Sequence, residues 1–445
     1  MVRFTLTLDL VPGLNVPPKP SLGAGHETAA GKLQRTLAVW IWVLFMKPFD
    51  RKIFGTLFFS IFAAVTGVGI VVPLLPVYAH DLGASGLYIG FIFGAFSLSR
   101  TFFLPYFGRL SDRKGRKPLI VAGLGCYALI SIAFIFSRNV ETLIFIRFVQ
   151  GIASSMMMPV IQAYVGDITP QGREGLTMGI FNMSMFFGLS LGPLIGGFIN
   201  DRFSLQAAFV SMGLLALVGF GLSLVFLPPK NLERVFRRKR PPAKWRHLLK
   251  DRIITGLFVF RFAYTACIGV VWSFLPVHAD ATFALSSSAI GVLIMLGVFI
   301  SGIIHTPMGY LADRVNKPVM VTIGGLIVGY AMLAFERSTG FGGLFCASVL
   351  FGLGGGIAMP AHMAITVIKG DRAASMGSVM ALMTMAHSMG MLVGALLAGI
   401  MMDLFQLRLA FSSGSAIMVA GVGLFLACTY PFFVDRNPPA GKAVE

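Results

Sequence analysis

Negative charge is scarce in this sequence. Of 445 residues, 18 are Asp or Glu against 36 Lys or Arg, and charged residues of both signs make up only 12%. An ordinary soluble domain carries roughly twice that share, so a water-soluble globular protein is excluded. Cysteine is nearly absent too. The four present (Cys126, Cys267, Cys346 and Cys428) all fall inside apolar runs, where they are expected to pack as small hydrophobes rather than form disulfides or hold a metal. There is no glycine-rich phosphate loop, no cluster at metal-ligand spacing and no nucleophile–base set. The sequence reads as no enzyme, with no cofactor and no metal.

What is abundant is hydrophobic sequence, 56% of residues, with a mean hydropathy of +0.82. The apolar runs recur along the whole chain, so the expected fold is all-α and integral to a lipid bilayer. Twelve spans are expected, at 54–78, 86–107, 118–137, 142–166, 176–200, 204–228, 253–277, 286–309, 318–336, 342–367, 375–400 and 409–433. Before them, residues 1–53 read as a tail; Leu37–Met46, with Trp40 and Trp42, is too short to span and suits an interfacial helix. With the N-terminus inside, 29 of the 36 basic residues fall in cytoplasmic segments, four outside (Arg138, Arg202, Arg337, Arg408) and three within spans (Arg100, Arg147, Arg261). That asymmetry predicts both termini in the cytoplasm. The net charge of +18 is thereby read as a topology signal, not as nucleic-acid binding.

The chain repeats itself. GRLSDR (Gly108–Arg113) recurs as GYLADR (Gly309–Arg314), and Met158-Pro159 as Met359-Pro360. GIVVPLLPVYAHD (Gly69–Asp81) recurs as GVVWSFLPVHAD (Gly269–Asp280), and GPLIGGFINDRF (Gly192–Phe203) as GALLAGIMMDLF (Gly394–Phe405). The offset is 200–202 residues each time. Two six-helix halves are therefore expected, 54–228 and 253–433, joined by a basic cytoplasmic linker at 229–252 and followed by a tail at 434–445. Duplicated folds of this kind place a small-molecule solute near the midplane, between the halves. One stretch stands out: in Gly179–Gly197, Gly188, Gly192 and Gly196 line one helical face with Pro193 among them. Small residues at that spacing let two helix backbones approach closely, and proline favours a bend.

These motifs resemble those of the major facilitator superfamily, from about Phe54 to Phe433. GRLSDRKGRKPLI (Gly108–Ile120) is similar to that family's loop signature between spans two and three. Arg147–Gly151 (RFVQG) is similar to its span-four motif, and Gly67–Pro76 (GVGIVVPLLP) to the span-one signature of twelve-span drug exporters. Gly179, Gly188, Gly192, Pro193, Gly196 and Gly197 fit its antiporter motif in span five. The resemblance implies two pseudo-symmetric six-helix bundles and a drug:proton antiporter or multidrug exporter. It further implies a set of gating residues. Asp112, beside Gly108, would meet the start of span eleven, and Asp313 the start of span five, when the cytoplasmic side is shut. Arg113 and Arg116 would pair with Asp167. The glycine–proline face would work as a joint against span eleven.

No Asp or Glu lies deep in a span, a departure from the many exporters that trade a proton for a cationic drug at a buried carboxylate. The buried charges are Arg147, followed at helical spacing by Gln150, Ser154 and Met158, then Arg261, and Arg100 nearer the cytoplasmic end of its span, from where it can snorkel. His387, at the centre of span eleven, and His362, in the inner third of span ten, are groups able to carry a proton. Asn182, Gln162, Tyr164, Tyr264 and Trp272 complete the polar and aromatic candidates. Methionines concentrate at 156–185 and 359–402, a surface that adapts to varied solutes. The expected function is export of small amphiphilic solutes by alternating access, with the proton as coupling ion, by a monomer in the plasma (bacterial inner) membrane. Export of an endogenous metabolite or organic anion is the alternative, favoured by the arginines. A non-transporting sensor or scaffold is the alternative of another class.

Overall fold

The computed structural model describes residues 48–169, 174–228, 248–372 and 376–434. The interfacial stretch expected at Leu37–Met46, nearly all of the 229–252 linker and the last eleven residues of the chain lie outside the described residues. Among the described residues there are twelve long helices and no strand. They are α1 (Pro48–Asp81), α2 (Gly86–Lys114), α3 (Arg116–Phe136), α4 (Val140–Ile168), α5 (Glu174–Arg202) and α6 (Leu205–Phe226). The second set is α7 (Arg252–Phe283), α8 (Ser287–Arg314), α9 (Lys317–Glu336), α10 (Phe341–Arg372), α11 (Met376–Leu404) and α12 (Leu409–Val434).

Hydrocarbon leaves no solvent partner for a backbone N–H or C=O, so each crossing satisfies its own backbone as a helix. At 1.5 Å per residue the helices are about 30 to 50 Å long, enough to cross a bilayer. All twelve expected spans are there. Several helices overrun the apolar run, α1 and α7 at both ends, because the helix continues into polar sequence where the hydrophobic stretch has stopped. Short turns join the helices whose connections are described. Asn139, Ser204 and Ser286 cap α4, α6 and α8 through their side-chain oxygens. Gly115, at φ 93°, turns the chain between α2 and α3, in a left-handed region that only glycine enters freely. Asp251 caps α7 through the N–H groups of Ile253 and Ile254 and pairs with Lys369 of α10 at 2.8 Å. Burial raises its carboxyl; the bonds from Lys369, Ile253 and Ile254 outweigh that and hold it below the usual carboxylate range. This clamp therefore persists into acid and is lost only as pH falls through that depressed value.

Packing follows the repeat. In the first half α2 lies on α4, α3 on α4 and α6, and α1 on α5 and α6. In the second half α8 lies on α10, α9 on α10 and α12, and α7 on α11 and α12. Every pair has its counterpart six helices on. Two seams join the halves, α2 with α11 and α5 with α8, and these too are each other's counterparts. Exposed leucines and valines on α6, such as Leu214, Leu217 and Leu224, form the kind of outer wall that lipid covers. The four cysteines are free thiols, with Cys267 buried and Cys346 exposed.

Candidate functional site

The two seams are sealed at one end. At the α2–α11 seam, Gly86 and Gly399 meet backbone to backbone, and Gly90 abuts the Ala395 carbonyl. At the α5–α8 seam, Gly197 meets the Ser287 carbonyl and Gly291 meets that of Pro193. Each is finished by a carboxylate from the C-terminal end of one helix capping the N-terminus of the other. Asp403 accepts from the backbone N–H of Gly86 and Leu87 at 2.6 and 2.8 Å. Asp201 accepts from Ser287 and Ser288 at 3.0 and 2.7 Å, and Asn200 donates to the Ser287 hydroxyl at 2.8 Å. A carboxylate on two free N–H groups at the positive end of a helix is a favourable pairing.

The seams part towards the opposite face, which carries the GRLSDR and GYLADR loops. Among the described residues, a side chain placed at Gly108 or Gly179 would meet nothing within 4 Å, and one at Gly309 would meet only Pro360 of its own half. Asp313 is exposed there. The contacts expected of Asp112 with the start of α11 and of Asp313 with the start of α5 fall on segments that lie partly outside the described residues. Arg116 bonds Asp112 at 2.7 Å, Asp167 at 3.1 Å and the Ser111 hydroxyl, tying α2, α3 and α4 together; Arg113 is exposed.

The glycine–proline face of α5 has a different partner from the one expected. Gly188, Gly192 and Gly196 pack on Phe62, Thr66, Gly69 and Ile70 of α1, within the same half. The physical reason is complementarity: Gly69 supplies a second side-chain-free surface opposite Gly192, so the two backbones reach contact. Of the glycines and proline of this stretch, Gly197 and Pro193 face the other half, at α8. The helix runs on through Pro193 to Arg202.

Where the seams end, a layer of basic groups begins. Counting 1.5 Å per residue from the loop-motif ends, Arg261 and His305 lie about 14 Å in, His387 about 17 Å, and Met359 and Arg100 about 20 Å. Arg261 and His387 are both half-buried. One guanidinium nitrogen of Arg261 lies against the Met359 sulfur, and another is 3.4 Å from His387 Nδ1. Guanidinium nitrogens only donate, so this ring nitrogen accepts. Arg100, from the other half, lies six residues beyond Gly94, which meets Leu392 of α11, five residues from His387. His305 on α8 touches Phe186 on α5 across the seam, ring centroids 5.8 Å apart. Asn182 and Gln162 are exposed, Gln162 with its amide 3.7 Å from the Met185 sulfur.

The remaining candidates lie inside the halves. Arg147 is 3% exposed, donates to the Ile92 carbonyl and to Gln150 Oε1, and is flanked by the rings of Phe93 and Phe96 at 5.0 and 4.6 Å. Tyr264 stacks on Phe351 with its hydroxyl against Gly355. His362 stacks on Phe260 and bonds the Leu257 carbonyl at 3.0 Å. Tyr164 is buried, and Trp272 packs half-buried against the apolar core. Arg147→Lys is expected to lower the melting temperature of the purified protein, because an ammonium cannot keep both bonds and both rings. An unchanged melting temperature would remove this packing role. Two residues of the basic layer are under-read or absent in the sequence reading. His305 carries the same signal as His362 and His387, a lone titratable group in an apolar run. Arg100, by its position able to snorkel, instead has its Nε buried without a partner among the described residues.

The chain is similar to known proteins. Over 383 residues the chain is 28% identical to an uncharacterised MFS-type transporter of Methanocaldococcus jannaschii, covering 85% of this chain and 98% of that protein. Over 391 residues it is 27% identical to the quinolone resistance protein NorA of Staphylococcus aureus, covering 85% and 96%. A solved bacterial homologue of the human lysosomal transporter Spinster, in an inward-facing and occupied conformation, superposes with a TM-score of 0.75 at 13% identity over 89% of this chain and all of the other. The family model described as Major Facilitator Superfamily matches residues 57–378. With twelve spans, paired halves and two seams between them, the chain belongs to the major facilitator superfamily of membrane transporters, not to the enzymes.

Proposed function

We propose that this protein exports small amphiphilic solutes by alternating access, driven by proton antiport. The observation that carries this reading is the asymmetry of the seams. They are sealed from one end to mid-span and parted beyond, around half-buried Arg261 and His387. A site open to one face only, between two matched halves, is what alternating access requires. The excess of Lys and Arg on the parted face supports a cytoplasmic location for it and for both termini, in the plasma (bacterial inner) membrane. The chain works as a monomer, since each half finds its partner within it. His387 is the proton carrier in this scheme. A proton on Nδ1 would set a donor against the Arg261 guanidinium and break their contact. Methionines along α4, α5, α10 and α11 suit solutes of varied shape, and a relative named for quinolone resistance fits drug export. A second reading, export of organic anions, is favoured by one specific observation: three arginines lie within spans and no acidic residue lies deep in any.

Reconstitution in liposomes with a trapped pH dye tests the coupling. Adding cationic, neutral and anionic amphiphiles in turn is expected to drive solute-dependent proton movement that His387→Gln abolishes. Labelled solute crossing without proton movement would overturn antiport, and no crossing of any solute would overturn transport itself.

A further inference from the structure

Among the described residues, two mid-span arginines have no counter-ion. Arg100 makes no hydrogen bond and no ion pair among the described residues, and its Nε is shut away from solvent. The Arg261 guanidinium bonds only the Met359 thioether and the His387 ring, neither of them an anion. The two arginines come from opposite halves, on α2 and α7; Gly94 of α2 meets Leu392 of α11, which sets Arg100, six residues on, near the level of His387, five residues back, and His387 lies 3.4 Å from Arg261. No described Asp or Glu lies in this layer; the described carboxylates are at helix ends and loops. Arg147 shows the contrast, since its own half satisfies it with Ile92 and Gln150. A buried guanidinium without a partner is costly, and a fold that keeps two of them facing one layer is incomplete until an anion arrives. A guanidinium holds a carboxylate through paired N–H donors, a geometry that an ammonium cannot match.

We propose that Arg100 and Arg261 bind the carboxylate head of an amphiphilic organic anion, one arginine from each half, with its apolar body against Met359 and Phe186. This rests on the transporter reading and names the solute class of that same site. The head group ties α2 to α7 at the depth where the seams end, so the bound anion sits at the point about which the halves part.

The test uses the full chain purified in detergent and a dansyl-labelled long-chain carboxylic acid, with its methyl ester and its trimethylammonium counterpart. The acid is expected to bind the wild type about tenfold or more tightly than the ester, with the cation weakest. Arg100→Gln and Arg261→Gln are each expected to bring the acid-to-ester ratio close to one, in variants whose elution and melting temperature show them folded. Equal affinity for acid and ester in the wild type, which needs no variant, overturns the proposal. So does a preference for the cation, or an acid-to-ester ratio that both folded variants retain. Uptake into liposomes separates the two claims. An acid bound as described but never carried leaves the head-group site standing and removes the transporter reading. Ester bound and carried as well as acid does the reverse.

Discussion

Replacing Asp201 and Asp403 together by alanine is expected to open the sealed face. Each carboxylate accepts two backbone N–H groups from a helix of the other half, and no residue is shared between the two sets. Losing such a cap costs roughly 1 kcal/mol, so the pair is worth about 2 kcal/mol to the sealed state, a shift of roughly 30-fold in its ratio to the open one. Both carboxylates are exposed, which keeps this estimate at the lower end for charged caps and makes the effect weaker in high salt. Spin labels on Tyr88→Cys and Leu404→Cys, positions 43% and 69% exposed near the sealed end, would report it. A longer-distance population should appear in the double variant and be smaller in each single one. A distance distribution identical to that of the parent would show that backbone contact between the glycines alone holds the seam.

Much of this arrangement was legible in the sequence, and the illegible part has a common cause. Span number and the paired halves follow from hydropathy and an offset repeat, which are properties of the chain read along itself. Arg261 and His387 were legible for the same reason: a charge or an imidazole alone in an apolar run has depth. Depth does not give direction. Tyr264 and His362 lie at similar depths, and Arg147 and Gln150 further from the loop-motif ends, yet all four turn into their own halves, and only the packing of neighbouring helices decides that. Arg100 shows the converse, a residue read as able to reach water whose helix face instead points it inward. The roles of Asp201 and Asp403 needed partners 86 and 316 or more residues away along the chain. A trace was present, since both close the same repeated segment, GPLIGGFINDRF and GALLAGIMMDLF. The partner of the α5 glycines was misplaced because a stripe of small residues says that something approaches closely, not which helix does. Gly69 on α1, two residues after Gly67, was the matching surface.

That distinction produces the second large effect, and it separates two glycines that look alike in sequence. A Cβ at Gly192 would fall 2.6 Å from the Thr66 carbonyl and 2.7 Å from Gly69 Cα, both backbone atoms of α1. A Cβ at Gly399 would fall on the Gly86 carbonyl and 2.9 Å from the Leu87 nitrogen, backbone atoms of α2. Neither neighbour can move aside as a side chain would. Gly192→Leu therefore forces apart two helices inside one half, and overpacking of this kind costs roughly 3 kcal/mol or more of stability. Transport and melting temperature should fall together. Gly399→Leu forces apart two helices that belong to different halves, which alternating access separates in any case. Transport should stop while the melting temperature stays near that of the parent, and a cysteine at Tyr88 should become more reactive to a membrane-impermeant maleimide. Gly179→Leu, with nothing within 4 Å of its Cβ, should keep its melting temperature and serves as the control for added bulk. If Gly192→Leu instead kept its full melting temperature and lost only transport, the α1–α5 contact would be a moving joint rather than a fixed one, and the working hinge would lie inside the first half rather than at the seams.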